Sequence, residues 1–318
     1  MKRSLPWLGL VATVALAIYF LFFLTQSFSW KGVAALLELG NALSVVGAGF
    51  FYVLVIPLSG WAWSRLLSGM GVDWRWSKTS AIIGVTQIAK YVPGNVAQHV
   101  GRAAMALSRK MPPDVLAGSI LVETLLTMGA AFLVGCVGLL WMTNPGKADG
   151  DVLSHTLLLT LTLLGVVLPG TALCFRMLSS LRGRSAWLQK WVSDDLRFPS
   201  FWVVLQATLA YSLNFLVLGA ALLMVCSAFS PSAGVGYFSL TAAFALAWLV
   251  GFMAPGLPAG LGAREGMLGI LLAGQIPETE LLNVLLGMRL ATIGGDLLSF
   301  ALGAWLTKRY LPAATKIV

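Results

Sequence analysis

The chain has 318 residues, of which 58% are hydrophobic and only 10% are charged, and its mean hydropathy is +0.86. Soluble domains carry roughly 25% charged residues, so this charged fraction is too small to cover a water-soluble surface. The composition excludes soluble enzymes, fibrous repeats and disordered scaffolds, and it predicts an all-α integral membrane protein. The net charge of +9 indicates either contact with anionic lipid or basic loop residues that set the membrane topology. Nucleic acid is not expected as a partner, because the basic residues flank apolar segments instead of covering a soluble domain.

Six long apolar segments predict six full transmembrane helices. They lie at about 5–28, 39–64, 115–142, 153–175, 200–229 and 281–307. The first segment follows Met1-Lys2-Arg3, as a signal peptide does. Its length is close to the ~20 residues that span a bilayer, and no A-x-A cleavage pattern follows it. We therefore predict a retained helix.

Two further apolar segments, 79–108 and 237–274, are interrupted by proline and glycine, at Pro93-Gly94 and at Pro255 to Gly260. Each half-segment of about 14 residues rises only ~21 Å as a helix, less than the ~30 Å hydrocarbon core. If both segments enter and leave on one side, every loop Lys and Arg except Lys31 and Lys147 falls on the same face. If both cross, the two faces are nearly balanced. The positive-inside rule thus predicts two re-entrant helical hairpins and cytoplasmic termini in the inner membrane.

The interrupted segments also reveal a weak internal repeat within a single membrane domain, 1–318. Arg102 follows Pro93 at the same spacing as Arg264 follows Pro255, and the copies are 162 positions apart. The repeats are predicted at about 39–142 and 200–307. Because the first hairpin opens to the cytoplasm and the second to the outside, the repeats are inverted. Many secondary transporters have this architecture, with the binding site near the bilayer midplane.

The candidate site consists of polar and glycine residues at or near the interruptions. Seven ionisable residues are predicted at membrane depth: Lys90, Arg102, Glu123, Arg264, Glu265, Arg289 and Asp296. Structural pairing or snorkelling explains any one of them, whereas the whole set favours a polar site. His99 is expected to face Gln98 or Arg102.

The tips of the hairpins predict a second kind of anion contact. The second half-helix of each hairpin begins at the tip, so its first N–H groups lack helical partners and carry the positive end of the dipole. The predicted donors are Gly94, Asn95 and Val96 in the first copy and Gly260, Leu261 and Gly262 in the second, with Asn95 as N-cap. Tight helix packing is the alternative explanation for these glycines.

Two motifs carry a family resemblance: Gln87 to Val96 (QIAKYVPGNV) with Gly101-Arg102, and Pro255 to Gly266 (PGLPAGLGAREG). They resemble the lysylphosphatidylglycerol synthase transmembrane (flippase-like) family over nearly the whole chain. The resemblance implies a polytopic flippase-like domain, alone or fused to a soluble catalytic domain, associated with aminoacylated phospholipids or lipid-linked sugars. Only Thr307 to Val318 follow Leu306, so we expect a stand-alone member without the aminoacyl transferase domain.

The leading functional hypothesis is binding and translocation of an anionic phospholipid or polyprenyl-linked headgroup. One alternative is an ion-coupled transporter of another small anion, with Glu265 as proton carrier. Another is a scaffold for a separate glycosyltransferase or lipid synthase, using the basic stretch Arg176 to Arg197, which is more simply an interfacial amphipathic helix. An enzyme is not expected, because His99 and His155 are the only histidines and no acid–base dyad accompanies them. No cofactor or metal is expected.

Overall fold

The computed structural model describes residues 36–92, 96–143, 197–254 and 257–311, together with Gly170. In these residues the chain is helical, as predicted. The α-helices are α1 (Leu39–Val53), α2 (Val55–Gly69), α3 (Trp76–Thr86), α4 (Ala97–Leu107), α5 (Pro113–Thr143), α6 (Phe201–Phe229), α7 (Tyr237–Met253), α8 (Ala263–Leu272) and α9 (Glu278–Tyr310). Two short 3₁₀ segments, Gln87–Tyr91 and Pro258–Gly260, follow α3 and precede α8.

Four helical stretches are long and apolar enough to cross a membrane: Leu39–Gly69, Pro113–Leu140, Phe201–Phe229 and Glu278–Tyr310. They confirm the apolar segments predicted at 39–64, 115–142, 200–229 and 281–307. At 1.5 Å per residue each exceeds the ~30 Å hydrocarbon core. The segments predicted at 5–28 and 153–175 lie outside the described residues.

The first long stretch is interrupted at Leu54, where α1 meets α2. Pro57 has no N–H to donate to the carbonyl of Val53, so the regular helical ladder is interrupted there. The Leu54 N–H instead donates to the Phe51 carbonyl at 3.1 Å, a tighter turn than that of an α-helix. The interruption lies next to Tyr52, Val55 and Ile56, which line the cavity described below.

Both predicted interruptions are confirmed. In the first broken segment (76–107), α3 ends at Thr86, the 3₁₀ turn ends at Tyr91 and α4 begins at Ala97. In the second broken segment (237–272), α7 ends at Met253 and α8 begins at Ala263. Residues 93–95 and 255–256, which include Pro93 and Pro255, lie outside the described residues.

The first helix of each broken segment packs on a long helix of the other half of the chain. Helix α3 contacts α9, and α7 contacts α5. The α3–α9 crossing is backbone to backbone, because a Cβ added at Gly303 would lie 2.5 Å from the Val85 nitrogen. At the α5–α7 crossing, a Cβ at Gly138 would lie 2.8 Å from the Phe238 carbonyl oxygen. Glycine therefore permits these close approaches, which hold the halves together.

Candidate functional site

A cavity of about 170 Å³ lies where the two halves meet. Helices α1 to α8 and both 3₁₀ segments contribute residues to its wall. The lining includes six residues that the sequence singled out: Lys90, His99, Arg102, Glu123, Gly260 and Arg264. Residues that are distant in the chain thus meet around one space, as expected of a binding site.

One side of the cavity is formed by a buried ion pair between α4 and α5. Arg102 Nη1 donates to the Glu123 carboxylate, and the two side chains are only 8% and 10% exposed. The guanidinium also lies 4.8 Å from the ring centroid of Trp63, a favourable cation–π distance. Arg102 Nε is buried and has no hydrogen-bond partner among the described residues. The guanidinium beside the cavity therefore keeps one donor without a partner among the described residues.

Other polar atoms on this side also lack partners within the described part of the chain. They are the Tyr211 hydroxyl, Asn214 Oδ1 and His99 Nδ1. Asn214 donates through Nδ2 to Ser59 Oγ at 2.9 Å, and the His99 Nε2 lies 3.4 Å from Gln98 Nε2. The predicted proximity of His99 to Gln98 is confirmed. Because buried polar atoms are normally hydrogen-bonded, this group leaves unused hydrogen-bonding capacity in residues of the cavity wall.

A second ion pair joins the first broken segment to α9. Lys90 Nζ lies 2.8 Å from Asp296 Oδ1, and the Tyr91 hydroxyl donates to Asp296 Oδ2 at 2.6 Å. Lys90 also donates to the Tyr52 hydroxyl at 2.6 Å, and Gln87 contacts the same hydroxyl at 3.3 Å. Asp296 is 1% exposed. Its buried carboxylate therefore holds the 3₁₀ turn against α9 through two charge-assisted hydrogen bonds.

A third cluster surrounds the N-terminus of α8. The Glu265 carboxylate accepts the Gly262 N–H at 2.9 Å and Arg289 Nη1 at 3.1 Å, and it lies 3.3 Å from Arg264 Nη2. Arg264 also contacts Thr292 Oγ1 at 3.3 Å, and its guanidinium lies over the Phe244 ring at 5.5 Å. Glu265 caps its own helix and neutralises two arginines at once.

The expectation of free N–H donors at the second tip is wrong in this conformation. The Gly260 N–H donates to the Leu257 carbonyl at 3.3 Å, and the Leu261 N–H donates to the Pro258 carbonyl at 3.0 Å. The Gly262 N–H donates to Glu265. The turn that positions these groups has Gly260 at φ +68° and Gly262 at φ +80°, a region that glycine adopts without strain. In the first tip, Gly94 and Asn95 lie outside the described residues.

The seven ionisable residues predicted at membrane depth form three clusters with one surplus positive charge. The basic members are Lys90, Arg102, Arg264 and Arg289, and the acidic members are Glu123, Glu265 and Asp296. A positive surplus next to a cavity attracts anions. Among the described residues, no group of three or more His, Cys, Asp or Glu side chains is arranged to hold a metal ion.

The sequence reasoning missed the uncharged polar residues of the site, namely Tyr52, Tyr91, Tyr211 and Asn214. A signal was present, because each is a polar side chain in or beside an apolar segment. Tyr52 and Asn214 are also 162 positions apart, the offset that relates Arg102 to Arg264. Both Tyr52 and Asn214 line the cavity.

Comparison with known proteins identifies the family. No curated protein matches the chain. The protein-family model described as Lysylphosphatidylglycerol synthase TM region matches residues 10–299, which is most of the chain, and it confirms the resemblance carried by the two motifs. With its four long apolar helices, the protein is a multi-pass membrane protein associated with lipid metabolism. The chain therefore belongs to the Lysylphosphatidylglycerol synthase TM region family.

Proposed function

We propose that the protein binds an anionic phospholipid or polyprenyl-linked headgroup in the cavity and translocates it across the cytoplasmic membrane. The observation that supports this proposal most is the composition of the cavity wall. Lys90, Arg102 and Arg264 face one space, together with buried polar atoms that have no partner in the described residues. Fixed cationic donors of this kind replace part of the hydration that a phosphate loses when it leaves water.

The size of the cavity favours a headgroup as the ligand. Its volume of about 170 Å³ is below the ~300–1,000 Å³ of typical small-molecule pockets. A phosphate with a small polar substituent is a suitable occupant, whereas acyl or prenyl chains are too long. We therefore infer that the hydrocarbon tails stay in the bilayer while the headgroup passes through the protein.

We further propose that both broken segments are re-entrant hairpins of an inverted repeat, with cytoplasmic termini. The second helices support this, because α4 and α8 have 11 and 10 residues and rise only about 15–17 Å, half of the hydrocarbon core. The reciprocal packing of α3 on α9 and of α7 on α5 also supports a repeat. In this arrangement the two segments gate the cavity from opposite sides.

Cysteine accessibility tests the topology. Ser108 and Gln275 follow α4 and α8, respectively. In a background lacking Cys136, Cys174 and Cys226, cysteines at these two positions are expected to react with a membrane-impermeant reagent from opposite faces. Reaction of both from one face contradicts the inverted arrangement.

We propose a binding protein without catalysis. Each carboxylate of the site is engaged by a basic side chain: Glu123 by Arg102, Asp296 by Lys90, and Glu265 by two arginines. Carboxylates held in this way serve charge compensation and positioning better than general acid–base chemistry.

Removal of the Arg264 charge tests headgroup binding. A hydrogen bond to a charged group contributes about 1.5–3 kcal/mol, so Arg264→Gln is expected to weaken phosphatidylglycerol binding by roughly one to two decades. Folding should change little, because Glu265 keeps Arg289 and the Gly262 N–H as partners. Arg65→Gln is the matched control, since Arg65 is exposed and does not line the cavity. Native mass spectrometry with added phosphatidylglycerol gives the affinities.

Translocation is tested in reconstituted vesicles with a headgroup-labelled phosphatidylglycerol and a membrane-impermeant quencher. The wild-type protein is expected to increase the rate at which inner-leaflet label becomes accessible, and Arg264→Gln is expected to reduce that increase. Headgroup-labelled phosphatidylcholine serves as the control lipid without net charge. Absence of movement with every anionic lipid tested, despite binding, favours the scaffold role over translocation.

A further inference from the structure

The N-terminus of α8 holds a side chain where an anionic ligand fits. We propose that the Glu265 carboxylate is a tethered competitor, which occupies an anion site formed by the Gly262 N–H, Arg264 and Arg289 and which a phosphate headgroup displaces. This inference rests on the proposed function and deepens it, because it adds a regulatory step to binding at the same cluster.

The contacts of Glu265 are those of a bound anion. One carboxylate oxygen accepts the backbone N–H of Gly262 at 2.9 Å, and the other lies 3.1 Å from Arg289 Nη1 and 3.3 Å from Arg264 Nη2. A helix N-terminus flanked by two guanidinium groups is a strong arrangement for phosphate, because dipole, N–H groups and fixed charges act together. The carboxylate therefore fills a site whose donor set suits a more highly charged ligand.

The site also has donors that Glu265 does not use. The Arg289 side chain is 4% exposed, and only its Nη1 contacts Glu265. Its Nε and Nη2 are buried and have no hydrogen-bond partner among the described residues. A buried guanidinium with two unpartnered nitrogen atoms is costly unless a ligand completes it. Phosphate has more acceptor oxygens than the carboxylate, and a larger share of these donors can be satisfied.

The cluster is accessible to a ligand. Arg264 belongs to the cavity wall, and the Glu265 side chain retains 17% exposure. Gly262 and Gly266 are exposed, and a Cβ added at either position would meet no atom within 4 Å. Open space therefore lies beside the first turn of α8.

The first broken segment has no equivalent competitor. The position 162 residues before Glu265 is Ala103, and the N-cap of α4, Val96, receives no side-chain hydrogen bond among the described contacts. The counter-charge of Arg102 comes from Glu123 on α5. A tethered carboxylate at the helix N-terminus is thus specific to the second segment.

Displacement of Glu265 has a mechanical consequence. The Glu265–Arg289 contact is a link between α8 and α9. A headgroup that takes the place of the carboxylate breaks this link and brings its own negative charge to Arg264 and Arg289. The bound headgroup then contacts Arg264 on α8 and Arg289 on α9, so the link between the two helices depends on the ligand instead of on Glu265.

The test uses the purified full chain in non-ionic detergent and inorganic phosphate as the probe. Phosphate binding is measured by the concentration dependence of thermal stabilisation. Glu265→Gln is expected to bind phosphate at least tenfold more tightly than the wild type. Adding Arg289→Gln to this variant should abolish the gain, because Arg289 belongs to this cluster and does not line the cavity. Glu280→Gln, which removes one negative charge from the first turn of α9, is the control and should show no gain.

Three results would overturn the inference: no gain in Glu265→Gln, an equal gain in Glu280→Gln, or a gain that survives removal of Arg289. If Glu265→Gln does not fold, Glu265→Asp replaces it in the phosphate-binding test. Its shorter carboxylate holds the donors less well, so it should bind phosphate more tightly than the wild type, and unchanged affinity contradicts the inference. If the changes at Glu265 give no gain in phosphate affinity while the wild type still binds phosphatidylglycerol, only the competitor role is overturned. If Arg264→Gln binds phosphatidylglycerol as tightly as the wild type does, the proposed function itself is overturned.

Discussion

Arg102 in the first broken segment is neutralised by a carboxylate from another helix, whereas Arg264 in the second is neutralised by its neighbour in sequence. Glu123, on α5, lies 21 positions after Arg102, and Glu265 directly follows Arg264. The two arginines, which follow Pro93 and Pro255 at the same spacing, are therefore compensated in two ways. The first segment depends on α5 for its charge balance, and the second carries its own counter-charge.

Helix α9 connects the two segments in spite of this difference. Asp296 binds Lys90 and Tyr91 of the first segment, and Arg289 with Thr292 binds Glu265 and Arg264 of the second. Arg289, Thr292 and Asp296 lie within about two turns of α9. A shift of this helix changes the contacts of both segments together. Helix α9 therefore holds polar contacts with both segments, and their 3₁₀ turns also contact each other directly.

The largest expected effect comes from removing the counter-charge supplied by α5. Glu123→Gln leaves Arg102 buried without an anionic partner, and loss of one member of a buried pair costs about 3–5 kcal/mol of unfolding free energy. Denaturant unfolding in detergent measures the change. Replacing both partners, Arg102→Met with Glu123→Leu, is expected to recover most of this loss. A cost below about 1 kcal/mol for Glu123→Gln would contradict the dependence on α5.

A smaller effect is expected from the hydrogen bonds that attach the segments to α9. Tyr91→Phe removes a hydrogen bond to the buried Asp296 carboxylate, which contributes about 1.5–3 kcal/mol because its acceptor is charged. Thr292→Val is the matched change on the second segment, where the longer contact of 3.3 Å to Arg264 should contribute less. Unfolding of both variants under the same conditions shows which substitution lowers the unfolding free energy more. Equal costs would mean that α9 holds the two segments with similar strength.

The smallest effect concerns the cap of the second segment. Gly262→Ala places a Cβ on a residue at φ +80°, and the left-handed conformation costs about 1–2 kcal/mol in an L-residue. Gly266→Ala adds the same methyl group four residues later inside α8, where it should stabilise the helix by about 0.5–1 kcal/mol. Space is open at both positions. The unfolding temperature is therefore expected to fall in Gly262→Ala and to rise in Gly266→Ala, and this difference is due to the backbone conformation. A change in the same direction in both variants would contradict a conformational role for Gly262.

The long helices and the interruptions were predictable because their causes are local. A run of apolar residues long enough to span the bilayer identifies each of the four described spans, and a proline removes a donor wherever it occurs. The set of buried ionisable residues was predictable for a similar reason, since a charge within an apolar segment is costly whatever surrounds it. Re-entrance, orientation and translocation stay predictions.

The partners of those charges were decided by tertiary structure. Lys90 and Asp296 are 206 positions apart, and no local pattern selects Asp296 over Glu123 or Glu265 as the counter-charge. Helix packing makes that choice, through contacts such as the glycine crossing of α3 and α9. The donors of the second tip illustrate the same limit, because the sequence predicted N–H groups without partners, and the folded turn uses them internally with Glu265 as cap. The sequence by itself determined which groups require neutralisation, since that follows from burial in an apolar segment. Only the packed helices determined which group neutralises which, since an ion pair depends on distances of a few ångströms between distant parts of the chain.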